Sequence, residues 1–440
     1  MTALGKSDLS DTVEMRYKTR ARTRPVYSEG SHSFLVFEGR LHALACVFDL
    51  VDGSLFMPLP IADPIEAYRI AIAEEVLDDL RSRLANTRWP DRETVDDWSQ
   101  GAPLERVQSL CDYWRQSYNW RKCEARLNSL GQSRTVIDGL GIHFLHVKSP
   151  NPSAVPLILT HGWPGSVIEF LDVIGPLTNP SAYGGSVTDS FHVVVPSLPG
   201  FGFSDKPRST GWGVTRIATA WVNLMRRLGY ERFFAQGGDW GAVVTTEIGA
   251  QSPPECLGIH LNMPVVFPNE QDLANPTEAE RASIASLSSY KRQGSAYASQ
   301  QSTRPQTLGY GLCDSPAGQA AWIYEKFFAW TDHLGYPETA VSRDAMLDNI
   351  MLYWLGANAT SSSRLYWESP ADGLRSSVLR LPVGISIFPK EILRPSRRWA
   401  ERCFANIVHW NELEKGGHFA ALEQPQLFVN ELRTCFRALR

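Results

Sequence analysis

Between residues 155 and 262 the hydrophobic positions fall into two alternating arrangements. Short unbroken apolar blocks occur at 156–160, 191–196, 233–235 and 257–262. A block of that length suits a strand covered on both faces, as in a parallel sheet. Between the blocks, 166–177 and 215–228 carry apolar residues at helical spacing, and the Ala/Val/Thr/Ile run after Gly241 reads as a buried helix. Strand and helix alternating over short turns predict an α/β protein with a doubly wound, mostly parallel sheet.

The flanking regions follow other patterns. Ile65, Tyr68, Ile72, Val76, Leu80 and Leu84 keep a helical period, which predicts a helix over 64–86 that Trp89-Pro90-Asp91 ends. Residues 104–118 predict another helix, and 133–138 and 140–148 predict two strands around a turn at Gly139. Past Pro264 the alternation stops. Residues 265–376 read as helical and rich in aromatics, and are expected to form a lid inserted into the sheet domain. Strand-like sequence returns at 382–388 and 407–410, and a helix is predicted over 425–439. The expected organisation is a poorly ordered leader at 1–58, an N-terminal helical region at 59–132, a core at 133–264, a lid at 265–376 and the rest of the core at 377–440. Met57 is a candidate start, because organised sequence begins just after it.

Composition narrows the function. Lys and Arg number 43 against 47 Asp and Glu, and the net charge of −4 argues against nucleic acid or an anionic membrane as the main partner. Seven scattered cysteines form no C-x-x-C pair, so a reducing compartment, and with it a cytoplasmic location, is expected. No His/Cys group has zinc spacing; His143 and His146 lie in a strand-like run and read as structural. Neither a metal nor a cofactor is expected. No uncharged run reaches the roughly 18 residues of a membrane helix, so no membrane anchor is expected. The oligomeric state is left open by the sequence, with a homodimer as one candidate.

The candidate chemistry centres on Gly237-Gly238-Asp239-Trp240-Gly241, between the block at 233–235 and the helix that follows. Strand, sharp turn and helix, with small residues two before and two after the central one, is the spacing of a nucleophile elbow. A carboxylate there attacks an electrophilic carbon and leaves an alkyl ester on the enzyme. The competing reading is a Gly-rich turn whose Asp caps the next helix. Asp239 needs a base and a group to orient it. His418, in Lys415-Gly-Gly-His-Phe419, and Glu391, after the strand at 382–388, both fall at carboxyl ends of predicted strands. Their order, nucleophile then acid then histidine, fits. Backbone N–H groups of Trp240 and Trp163 are the expected oxyanion donors.

Several further segments join this pattern: Arg88-Trp-Pro-Asp91, Glu124-Ala-Arg-Leu-Asn128, His161-Gly-Trp-Pro-Gly165, Val195-Pro-Ser-Leu-Pro-Gly200, Ser302-Thr-Arg-Pro305 and Gly416-Gly-His-Phe-Ala-Ala421. Taken in order, they resemble the epoxide hydrolases of the α/β-hydrolase superfamily over roughly residues 60–440, and most of all the microsomal-type branch. The resemblance implies an α/β-hydrolase fold whose N-terminal region wraps the core, and a small-molecule epoxide as substrate. It implies Asp239 as nucleophile, His418 as the base that activates water and Glu391 as the acid that orients it. It also implies two lid tyrosines that protonate the epoxide oxygen. Tyr297 and Tyr366 match these positions, which leaves packing roles for Tyr290, Tyr324 and Tyr353. Members of that branch often begin with a membrane anchor; this chain shows no such run, so a soluble protein is expected. The alternatives are a haloalkane dehalogenase, which shares the Asp nucleophile but needs halide donors and no tyrosine pair, and a non-catalytic binding module on the same fold. A serine esterase is disfavoured by Asp at the elbow.

Overall fold

The computed structural model describes residues 63–369 and 378–440; the expected leader and the candidate start at Met57 lie outside them. Nine strands form one sheet: β1 (Glu66–Ala67), β2 (Gln132–Ile137), β3 (Leu140–Val147), β4 (Val155–Thr160), β5 (Phe191–Pro196), β6 (Phe233–Gly237), β7 (Cys256–Leu261), β8 (Val383–Ile387) and β9 (Ile407–Glu412). Their order is β1-β2-β3-β5-β4-β6-β7-β8-β9. The pairs from β1 to β5 through β3 are antiparallel, and all others are parallel. β4, β6 and β8 are buried along their whole length, as their unbroken apolar sequence requires. The strand order reverses direction beside β4, so a crevice opens at the carboxyl ends of β4 and β6.

The helix expected over 64–86 is only partly formed. Helix α1 (Glu74–Ala85) buries Leu77, Leu80 and Leu84. Before it the chain is extended, with Glu66 paired to Arg134 and Ala67 to Ser133. α2 (Leu104–Gln116) and α3 (Trp120–Asn128) follow α1, and α3 explains the extended run. Asn128 bonds the backbone N–H and carbonyl of Ile70 at 2.9 and 2.8 Å, and Glu124 accepts from the Ile72 N–H at 2.7 Å. These partners satisfy the backbone that a helix would have satisfied internally.

α4 (Leu171–Thr178), α5 (Val214–Arg227) and α6 (Asp239–Gln251) cover the sheet. Between β7 and β8 comes the inserted helical lid. Its helices are α7 (Glu270–Ala274), α8 (Glu278–Ser289), a π-helical turn at Tyr290–Gly294, α9 (Ala296–Thr303), α10 (Pro305–Asp314), α11 (Pro316–Trp330), α12 (Arg343–Trp354) and α13 (Ala359–Glu368). α12 grips the loop after β4. Asn349 donates to the Pro164 carbonyl and accepts from the Ser166 hydroxyl, both at 2.7 Å, and Tyr353 donates to the Gly165 carbonyl at 2.7 Å. Through its first half α12 is also tied to the N-terminal helical extension, by Tyr113–Asp344 and Tyr118–Asp348. The extension, lid and β4 loop are therefore one connected framework. No described helix is long and apolar enough to cross a membrane.

Candidate active site

Asp239 is the first residue of α6, at the carboxyl end of β6, with φ of 49°. A non-glycine residue in that region is strained by roughly 1–3 kcal/mol, which the surroundings must hold in place. They do so by close packing. A side chain at Gly237 would collide with the Gly241 carbonyl, and one at Gly241 with the Thr160 carbonyl. The capping alternative fails here, because Gly238 occupies the cap position and no side-chain cap bond is made. The Asp239 carboxylate instead turns toward β4, where Oδ1 accepts from the Trp163 backbone N–H at 2.7 Å. Trp240 follows in the first turn of α6, where N–H groups have no carbonyl partner within the helix.

The other carboxylate oxygen, Oδ2, lies 3.3 Å from His418 Nε2. On the far side of the ring, Nδ1 donates to Glu391 Oε1 at 2.6 Å. Glu391 is 2% exposed, and Oε1 also accepts from the Ile392 N–H at 2.7 Å. Asp239, His418 and Glu391, separated by up to 179 residues of sequence, thus form one continuous chain of contacts. Burial alone would lower the His418 pKa. The Glu391 carboxylate, and behind it Asp239, more than reverse this and hold it well above the usual imidazole value. The His418 loop is clasped to the end of α11. Its own N–H donates to the Trp330 carbonyl at 2.9 Å, while Glu423 accepts from Phe419 N–H at 3.0 Å and Asp332 N–H at 2.7 Å.

Tyr297 and Tyr366, both buried, pack from the lid against Trp163 and Trp240. Tyr297 stacks on Trp163 with ring centres 4.9 Å apart, and Tyr366 stands edge-on to Trp240 at 4.8 Å and to Tyr297 at 5.9 Å. Burial, with the Asp239 charge among the further contributions, raises both phenols well above their ordinary pKa. Tyr324 donates to Glu338, and Tyr353 holds the β4 loop, so both pack as expected. Tyr290 packs against the hydrophobic core as well. Its hydroxyl, at the start of the π-helical turn, is also 3.0 Å from that of Tyr297.

One acid went unnoticed in the sequence. Glu169 faces the same cavity as Asp239 and His418, a space of about 10 Å³ also lined by Trp163 and Asn262. That is about enough for one water molecule. Burial pushes the Glu169 carboxyl up to about 8; His418 pulls the other way and Asp239 adds to the rise. Its signal was a lone carboxylate in the apolar run Val167-Ile-Glu-Phe-Leu171.

Residues 65–170 match the family described as epoxide hydrolase N terminus, and residues 155–311 match the α/β-hydrolase fold family. A candidate epoxide hydrolase of Stigmatella aurantiaca is 55% identical over 86% of both chains. Epoxide hydrolase 1 of Sus scrofa is 34% identical over 84% of this chain and 88% of its own. Among solved structures, the juvenile hormone epoxide hydrolase of Bombyx mori superimposes with a TM-score of 0.79 at 29% identity, covering 86% of this chain and 95% of that one. The Aspergillus niger epoxide hydrolase gives 0.78 at 32% identity, covering 86% and 97%.

Proposed function

The chain belongs to the epoxide hydrolases of the α/β-hydrolase fold, and from that premise we propose that it converts an epoxide to a vicinal diol through an alkyl ester on Asp239. The observation that carries this reading is the pair of contacts on the Asp239 carboxylate, Trp163 N–H on one oxygen and His418 Nε2 on the other.

In the first step Oδ2 attacks a ring carbon and the carbon–oxygen bond breaks. Tyr297 and Tyr366 donate to the leaving oxygen, which takes a proton as it becomes a hydroxyl. Phenols suit this task because they remain protonated at neutral pH and yet serve a strongly basic alkoxide. Oδ1 becomes the ester carbonyl oxygen and keeps its bond to the Trp163 N–H. Alkylation also removes the Asp239 charge, and with it one of the influences that hold His418 protonated. Neutral His418 then takes a proton from a water molecule in the cavity beside Glu169, and the water attacks the ester carbonyl. The oxyanion is held by the N–H groups of Trp163 and Trp240; one such donor is typically worth about 3–4 kcal/mol. Collapse releases the diol and restores the carboxylate.

The aromatic cluster of Trp163, Trp240, Tyr297, Tyr366 and Trp330 around the elbow favours an epoxide with an apolar substituent. The two tyrosines favour epoxide opening over halide displacement. The test is a panel of epoxides assayed for diol and chloroalkanes assayed for halide. Diol from epoxides is expected; halide release without diol would reverse the reading.

A further inference from the structure

The lid contains a third tyrosine that epoxide opening as described above does not use. Tyr290 opens the π-helical turn, a departure from α-helical geometry often found at functional sites. Its hydroxyl meets the Tyr297 hydroxyl at 3.0 Å. Tyr290 also lines a groove of about 460 Å³ that, among the described residues, opens to solvent and borders Trp98, Phe328, Trp330 and Lys390. Tyr290 is half-buried, whereas Tyr297 is 5% exposed. The Tyr366 ring sits among Trp163, Trp240 and Tyr297.

We propose that Tyr290 is a positioning and relay residue that returns a proton from groove water to Tyr297 after Tyr297 has protonated the opened epoxide. The inference rests on the reading of Tyr297 as a proton donor. When Asp239 attacks, the ring oxygen takes the Tyr297 proton and leaves a phenolate. Tyr290 donates its O–H proton across the 3.0 Å contact, and the resulting Tyr290 phenolate takes a proton from water in the groove. The proton taken up is balanced when His418 later releases to solvent the one it removed from the hydrolytic water. Burial raises both phenols, Tyr290 up to about 12 and the more deeply buried Tyr297 well above its ordinary value, so a phenolate formed at Tyr297 is a strong base toward the neighbouring O–H. Before any transfer, a hydrogen bond from Tyr290 also stabilises the negative charge growing on Tyr297.

Single-turnover mixing of the whole enzyme with an epoxide separates alkylation from ester hydrolysis. Tyr290→Phe is expected to slow alkylation roughly 10- to 100-fold, the range for losing a hydrogen bond to a charged group, and to leave hydrolysis unchanged. In a Tyr297→Phe background the same substitution should have no further effect on alkylation, because its target is gone. A purely structural role would slow both steps, or slow alkylation by the same factor in both backgrounds, and either result overturns the proposal. So does normal alkylation by Tyr290→Phe in an enzyme that Tyr297→Phe slows. If Tyr297→Phe alone leaves alkylation untouched, the donor assignment of Tyr297 falls first and the relay falls with it.

Discussion

The backbone N–H of Trp163 donates to Oδ1 of Asp239 at 2.7 Å, joining the loop after β4 to the turn after β6. One carboxylate oxygen is thereby held and the other is left facing His418. The two oxygens of a single carboxylate acquire different tasks from this contact, and the first prediction follows from that division.

If Asp239 attacks carbon and water then attacks the ester carbonyl, the oxygen added to the substrate comes from the enzyme. A single turnover in oxygen-18 water should give unlabelled diol and a labelled enzyme. Label in the first diol, read by mass spectrometry, would mean that water attacks the epoxide directly.

His418→Gln should still open the epoxide but stall at the ester. Removing a general base typically costs about 10²–10⁴-fold in the step it serves, so the adduct should accumulate and appear in the intact mass. Free enzyme with no turnover would place His418 before the ester forms.

Hydrolysis needs His418 neutral, so its rate should rise as pH increases through the His418 pKa of the adduct. Glu391 is the main influence raising that pKa against burial. Glu391→Gln should therefore move the rising limb of the hydrolysis rate to lower pH while reducing its plateau. A limb that stays in place would show that the Glu391 charge does not act on His418.

Glu169 carries a sign opposite to the usual carboxylate. Its pKa is raised from 4.5 to about 8 in the fold, so between those values the native state binds more protons than the unfolded one. Stability should then fall as pH rises across that window. Glu169→Gln keeps the shape and removes the titration, so its Tm should gain on that of the parent from about pH 5 to pH 8. Parallel Tm curves for the two proteins would contradict this.

Tyr297 and Tyr366 act on one oxygen in the proposed reaction. Each single Phe variant should retain part of the alkylation rate, and the double variant should lose nearly all of it. The losses should be non-additive, as for groups serving one atom. Full activity in the double variant would reopen the assignment of the donor.

Much of this protein was legible in local pattern. Unbroken apolar blocks marked β4 to β7 to within a residue or two, because a strand buried on both faces leaves no room for polar positions. Gly237 and Gly241 marked the elbow, because backbone packs where a side chain would stand. His418 and Glu391 were legible as candidates, since loops after parallel strands gather at one end of the sheet.

Other features were decided only by tertiary structure. The apolar period over 64–86 reported the buried face only in part, since Ile65 and Val76 are exposed and Leu77 is buried, and it did not report the partners at Asn128 and Glu124 that bond residues 70 and 72 outside the helix. Tyr290 and Tyr297 meet hydroxyl to hydroxyl, and Glu169 reaches the cavity because the β4 loop folds beside His418. Sequence pattern states which positions must leave water. It does not state which buried group each will meet, because that partner comes from a distant segment whose placement is set by the packing of the whole fold.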